Sequence, residues 1–171
     1  NAHITVQPYE SKIEKKSINQ NMKDISKNLI FSNSGESIIL KSNTTKGILL
    51  RGYKSEDFPK LEIFKEKLIT KKNLVLPDNF ISIGKELSFT LDLDIGDSVT
   101  LMSSAGVETI IGNLPKQKTF IVSSIFESGM IDFDNNVAFI NLKTLEEFFN
   151  LEKKDRRLEI YLKNPKNIEY Q

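Results

Sequence analysis

Runs of period-two alternation, repeatedly interrupted by runs with helical spacing, constrain this chain more than any other feature. Asn79-Phe80-Ile81-Ser82-Ile83-Gly84 alternates as a strand, and Lys85 to Leu91 reads as a short helix. Asp97 to Met102 alternates again, Lys118 to Phe126 is a long strand, and Val137 to Ile140 is a shorter one. Asn141 then stands as the cap of a helix running to Phe149, and Leu158 to Leu162 is the last strand before Asn164-Pro165. Interspersed strands and helices imply an α/β or α+β fold with mixed sheets.

The first half follows the same grammar. His3-Ile4-Thr5-Val6-Gln7 is a short opening strand stopped by Pro8. From Glu10 to Asn28 the chain is polar and Lys-rich, with Ile13, Ile18, Met22, Ile25 and Leu29 spaced for an amphipathic helix; the same residues also suit a solvated linker. Residues 37–41 and 46–53 read as two strands joined by a Ser-Asn-Thr-Thr turn, which explains Asn43-Thr44-Thr45 better than a glycosylation sequon does. Ser55 is positioned to cap a helix through Phe58, Leu61, Phe64 and Leu68, with Pro59 in its first turn.

A length of 171 residues fits one globular domain or two small subdomains. Twenty-four basic against 23 acidic residues argue against nucleic acid as a partner, since phosphate binding needs a concentrated basic face. The absence of cysteine excludes disulfides and thiolate metal sites. No stretch approaches the roughly 20 apolar residues that span a bilayer, and the chain does not begin with Met, so it reads as a soluble segment excised from a longer protein.

Catalytic and metal-binding signatures are missing. His3 is the only histidine, there is no Gly-x-Ser-x-Gly elbow, and neither dinucleotide nor Walker glycine patterns occur. Asp132-Phe133-Asp134-Asn135-Asn136 fails as a calcium loop, because Val137 and Lys143 stand where Gly and Glu are needed; it reads as a turn. Asp92, Asp94 and Asp97 read as loop and strand-entry residues around Gly96. The expectation is a non-catalytic chain with no cofactor and no metal.

Three stretches carry a resemblance. Ile83-Gly84-Lys85-Glu86-Leu87 leads through a short helix to Gly96-Asp97-Ser98-Val99-Thr100-Leu101; Ser103 to Thr119 contains Ile111-Gly112-Asn113-Leu114-Pro115; and Ile125-Phe126-Glu127-Ser128-Gly129-Met130 precedes Ala138-Phe139-Ile140. Together they resemble the periplasmic domain of the LolC/LolE family of lipoprotein-releasing ABC transporter permeases, within the wider MacB-like group. The resemblance implies an α+β fold with a Porter-like subdomain over 1–45 and 115–171, a Sabre-like subdomain over 46–102, and a protruding Hook-like hairpin over 103–115. It implies a periplasmic location on an inner-membrane permease. Its implied partners are a LolA-type lipoprotein carrier, the lipoprotein substrate, a LolD-type ATPase subunit and a second permease subunit. Carrier binding would fall to Ser103, Gly106, Thr109, Ile110, Ile111, Gly112, Leu114 and Pro115 in the Hook, and to Gln117 and Lys118 in a neighbouring Pad. This sequence departs from the LolC pattern at Ser103, where Pro can stand, at Ile110-Ile111 in place of Pro-Met, and at Lys118 in place of Arg. Lys cannot make the planar bidentate contact of Arg. Ser128-Gly129-Met130 is closer to the LolE pattern, and such a hybrid suits a homodimeric permease.

Read physically, residues 103–115 join two strands and look too long for a two-residue turn. Their isoleucines either fold back onto the core or wait for a partner. The alternative implied by the same resemblance is a MacB-like efflux or cell-division-type permease, whose domain would share the fold but lack a Hook with this spacing.

Overall fold

The computed structural model describes residues 2–9, 12–66 and 76–164. These form two compact units, Asn1–Ser32 with Glu152–Gln171, and Asn33–Leu151. The units divide at 32/33 and 151/152.

The first unit holds β1 (Ile4–Val6), α1 (Gln20–Ile25), the opening part of β2 (Ser26–Lys41) and β8 (Arg157–Leu162). β8 pairs antiparallel with β1 on one side and β2 on the other. Leu158, Ile160 and Leu162 alternate to form its core, against which Ile4, Ile18, Met22, Leu29 and Phe31 pack. Glu159 is buried on the opposite face, where its carboxylate accepts from Ser32 Oγ at 2.6 Å and Tyr161 Oη at 2.9 Å. The helix expected over 10–28 shrinks to a 3-10 turn at Lys15–Ser17 and to α1, whose cap is Asn19; residues 10 and 11 lie outside the described ones. Ser26 ends α1 in an extended conformation and donates from Oγ to Met22 O at 2.5 Å, so the chain is already strand where helix was expected.

In the second unit a ring of strands closes on itself. β2 runs into β3 (Thr44–Tyr53) through a tight turn with Ser42 at φ +53°. β3 pairs in parallel with β7 (Val137–Asn141), and β7 antiparallel with β4 (Phe80–Gly84). β4 pairs in parallel with β6 (Gly112–Phe126), and β6 antiparallel with β5 (Ser98–Thr109). β5 then returns to β2, with Ser37 opposite Ser103 and Leu40 opposite Thr100. The interior follows the two-residue period of strands: Ile48 and Leu50, Ile81 and Ile83, Val99 and Leu101, Phe120 and Val122, Ala138 and Ile140 are all buried in one core. α3 (Lys85–Leu91) adds Leu87 and Leu91, and α5 (Leu142–Phe149) adds Leu145 and Phe148. The result is an α+β fold with a mixed sheet.

Local chemistry explains the helices. Asn141 caps α5 as expected, its Oδ1 accepting from Lys143 N at 2.9 Å. The expected helix from Ser55 is instead a 3-10 segment, Ser55–Lys60, followed by α2 (Glu62–Glu66); Leu68 lies outside the described residues. Ser55 caps nothing: it accepts from Asn141 Nδ2 at 3.0 Å and donates to Leu76 O. Residues 132–136, expected as a turn, belong to α4 (Ile131–Asn136), and buried Asp134 ties it to the preceding loop by accepting the Ser128 N–H on both carboxylate oxygens at 2.9 and 3.0 Å.

A second apolar layer is aromatic. Phe139 lies 5.0 Å from Phe64 and 5.1 Å from Phe126, centroid to centroid, and also meets Tyr53 and Phe133. Phe139→Ala therefore leaves an unfilled void among four rings, and urea unfolding is expected to show a loss of about 3–5 kcal/mol.

Asp97, at the entry to β5, accepts from Asp94 N and from Lys41 Nζ, both at 3.1 Å. The backbone N–H of Asp94, and then the Lys41 ammonium, hold its pKa below the ordinary value of 3.8. A depressed carboxylate stabilises fully above its unfolded pKa and loses that effect as pH falls through the folded one. The melting-temperature difference between wild type and Asp97→Asn is thus expected to be constant above about pH 5 and to shrink below the usual Asp range.

Candidate functional site

The outer half of the β5–β6 pair is a two-stranded hairpin. β2 stops covering β5 at Ser103, and β4 stops covering β6 at Ile121. Beyond those points only the two strands pair with each other, from Gly106 opposite Pro115 to Thr109 opposite Gly112. The 103–115 segment therefore contains a two-residue turn after all, Ile110-Ile111, because both strands continue almost to the tip. Pro115 is tolerated in β6 since an edge position needs no ladder N–H.

The tip combines unusual residues with an ordinary turn device. Gly112 adopts φ +118°, which an L-residue reaches only with strain. Thr109 Oγ1 donates to Gly112 O at 2.6 Å and accepts from Ile111 N at 3.4 Å. Between them, Ile110 is 105% and Ile111 81% exposed. Short hairpin turns favour Asn, Asp and Gly, which solvate themselves and accept positive φ. Here Gly112 alone takes the positive φ, so the backbone accepts both isoleucines; what two β-branched apolar side chains lack is a polar group to solvate an exposed turn.

The structure brings some of the expected residues together and separates others. Thr109, Ile110, Ile111 and Gly112 form the tip, with Leu114 half exposed and Pro115 exposed along one strand. Ser103 is 2% exposed and lies at the hairpin base, its hydroxyl bonded to backbone carbonyls. Gly106 faces Asn113, across the pair from which the regular ladder resumes. Gln117 and Lys118 are neighbours in β6 and so project to opposite faces. Gln117 is exposed, while Lys118 extends over the Phe120 ring with Nζ 5.6 Å from its centroid.

Sequence reading missed a shallow apolar groove of about 590 Å³ beside the hairpin base, lined by Ile38, Leu49, Met102, Pro115 and Asn136 among others. Ile38 and Leu49 project from the outer face of the ring, and their alternation with buried Ile39, Ile48 and Leu50 was the signal available. Among the described residues no group of three His, Cys, Asp or Glu side chains is placed to hold a metal ion. Among them, too, no helix is long and apolar enough to cross a membrane.

Known proteins set this geometry in context. No family model matches the chain. Over 116 residues it is 28% identical to the lipoprotein-releasing system transmembrane protein LolC of Xylella fastidiosa, a match covering 67% of this chain and 28% of that protein. Over 136 residues it is 24% identical to LolC of Neisseria meningitidis, covering 78% and 33% respectively. The chain thus spans about a third or less of the curated relatives it matches. Among solved structures, the extracellular domain of the ABC-type transporter YknZ from Gram-positive bacteria superposes with a TM-score of 0.55 at 12% identity, over 94% of this chain and 84% of that one. The periplasmic region of MacB from Actinobacillus actinomycetemcomitans gives 0.55 at 9%, over 96% and 76%. The fold is that of MacB-like periplasmic domains, and the sequence is similar to LolC.

Full exposure of the tip has a direct consequence for stability. Ile110→Glu and Ile111→Glu are each expected to change the unfolding free energy by less than about 0.5 kcal/mol, read from urea melts.

Proposed function

We propose that this chain is the periplasmic domain of a lipoprotein-releasing ABC permease of the bacterial inner membrane, and that its β5–β6 hairpin docks a LolA-type carrier. Outer-membrane lipoproteins would pass to that carrier from the permease, driven by ATP hydrolysis on a separate LolD-type subunit, with a second permease subunit completing the transporter. The domain itself catalyses nothing. Similarity to LolC supports the family reading, and one observation carries the docking role: Ile110 and Ile111 stand in solvent at the end of the hairpin.

The physical case rests on what those side chains gain. Buried against a partner, each isoleucine contributes about 1.5–3 kcal/mol. In water the same residues gain nothing in core packing. The open strand edges of the hairpin add backbone donors and acceptors that an extended segment of a β-rich partner can pair with. The Pad residues supplement this unequally: Gln117 is accessible, and Lys118 would reach a carrier only from the face it shares with Phe120.

A second reading has an observation of its own. The likeness to the MacB periplasmic region, over 96% of this chain, fits an efflux or cell-division-type permease in which the domain transmits conformational change.

Titration of the purified chain with the LolA-type carrier of its own organism separates the two. The unsubstituted chain is expected to bind, and Ile111→Glu to weaken binding by roughly 10- to 150-fold while leaving the circular dichroism spectrum unchanged. Equal affinity in the variant would move docking away from the tip, and no binding at all would favour the second reading.

A further inference from the structure

We infer that the C-terminal turn of α5 sets the direction of the hairpin, with Ser103 and Lys116 as its positioning residues. The structural part stands alone; its consequence for carrier binding rests on the docking role proposed above.

A two-stranded ribbon standing clear of its sheet is marginal by itself and needs support at its base. The base of this one is also irregular. Between Met102–Gln117 and Gly106–Pro115 the register shifts, so that Ser103, Ser104 and Ala105 stand opposite Lys116 alone. Extra residues on one strand bend it and increase its twist. The direction in which the hairpin leaves the ring is therefore decided over these few residues.

Both sides of the bend are tied to one place. Ser103 Oγ lies 3.1 Å from Phe148 O and 2.8 Å from Ala105 O, so its single proton bridges the helix end and the bulge. Lys116 Nζ donates to Glu147 O at 2.8 Å and to Asn150 Oδ1. Glu147 and Phe148 are in the last turn of α5, where carbonyls lack partners within the helix. The helix ending itself serves only Glu146, whose carbonyl accepts from Leu151 N at 2.9 Å and from the Asn150 N–H. Thus each strand of the hairpin supplies one side chain to a leftover carbonyl. A Lys ammonium there also meets the negative end of the helix dipole.

The anchor is itself held firmly. Phe149 lies flat against β2 at Gly35, where a Cβ would come within 2.7 Å of the ring. Asn150 holds φ +56°, which turns its side chain back toward Lys116.

The test uses two nitroxide labels, at Glu108→Cys on the hairpin and Phe89→Cys on α3, in a chain with no other cysteine. Pulsed electron resonance is expected to give one narrow distance distribution. Lys116→Met, alone and with Ser103→Ala, is expected to broaden or shift it, while Lys116→Arg, which keeps the donors, restores it. A Lys116→Met distribution that superposes on the parent overturns the anchor. In unlabelled protein, Lys116→Met is expected to weaken carrier binding roughly 2- to 10-fold with both tip isoleucines intact. Unchanged affinity beside a broadened distribution overturns the link from hairpin direction to docking. If the parent chain binds no carrier, the docking role falls, and the distance measurement still decides the anchor.

Discussion

Pairing of β2 with β5 is the constraint on which the second unit depends. Ser37 to Leu40 against Thr100 to Ser103 closes a ring that would otherwise end in two bare strand edges. Closure is what gives the alternating residues of six strands a common interior. It places Ile39 against the same core as Leu101 and Phe120. Because a strand's side chains alternate, closure also fixes which residues face outward. Ile38 and Leu49 stand outside for that reason, and so does the groove they line.

The point where closure stops is as consequential as closure itself. Ser103 is the last β5 residue paired with β2, and there the strand bulges, buries a hydroxyl and meets α5. Ring, bulge and helix end meet over a handful of residues. Everything beyond them in the hairpin has only its own partner strand, so the base alone orients it.

Much of this was legible. The strand at 79–84, the helix at 85–91, the strands over 97–102, 118–126 and 137–140 and the Asn141-capped helix occur where apolar spacing put them. β2 was not read as one strand of 16 residues, for a physical reason. Several of its buried positions are polar: Ser26, Ser32, Asn33 and Ser37 are buried, and Ser32, Asn33 and Ser37 bond to Glu159, Glu146 and the Met102 carbonyl. Hydrophobic alternation is broken where satisfied hydroxyls and amides stand between the buried Ile30 and Ile39. The hairpin was obscured differently. Gly106, Gly112 and Pro115 look like breaks, but a ribbon open on both edges tolerates them, and its backbone pairing leaves little hydrophobic trace. The groove combines β2, β3, β5, β6 and α4, a juxtaposition that only the ring creates.

An exposed ribbon with two open edges invites association with any strand it meets. Along its length this one resists that: Glu108, Asn113, Lys116 and Gln117 are polar, and the bulge twists its base away from a flat sheet. Apolar character is concentrated at the far end instead, in Ile110 and Ile111, with Leu114 half exposed behind them. General stickiness would be served by apolar residues on the edges, where backbone pairing would reinforce them. Confining them to a turn that pairs with nothing separates hydrophobic contact from strand addition, so the proposed carrier would have to offer a recess for the tip before the edges come into play. Under the proposed docking role, such an arrangement would favour an end-on encounter with a concave surface, and the angle of the ribbon at the close of α5 would be part of what that surface reads.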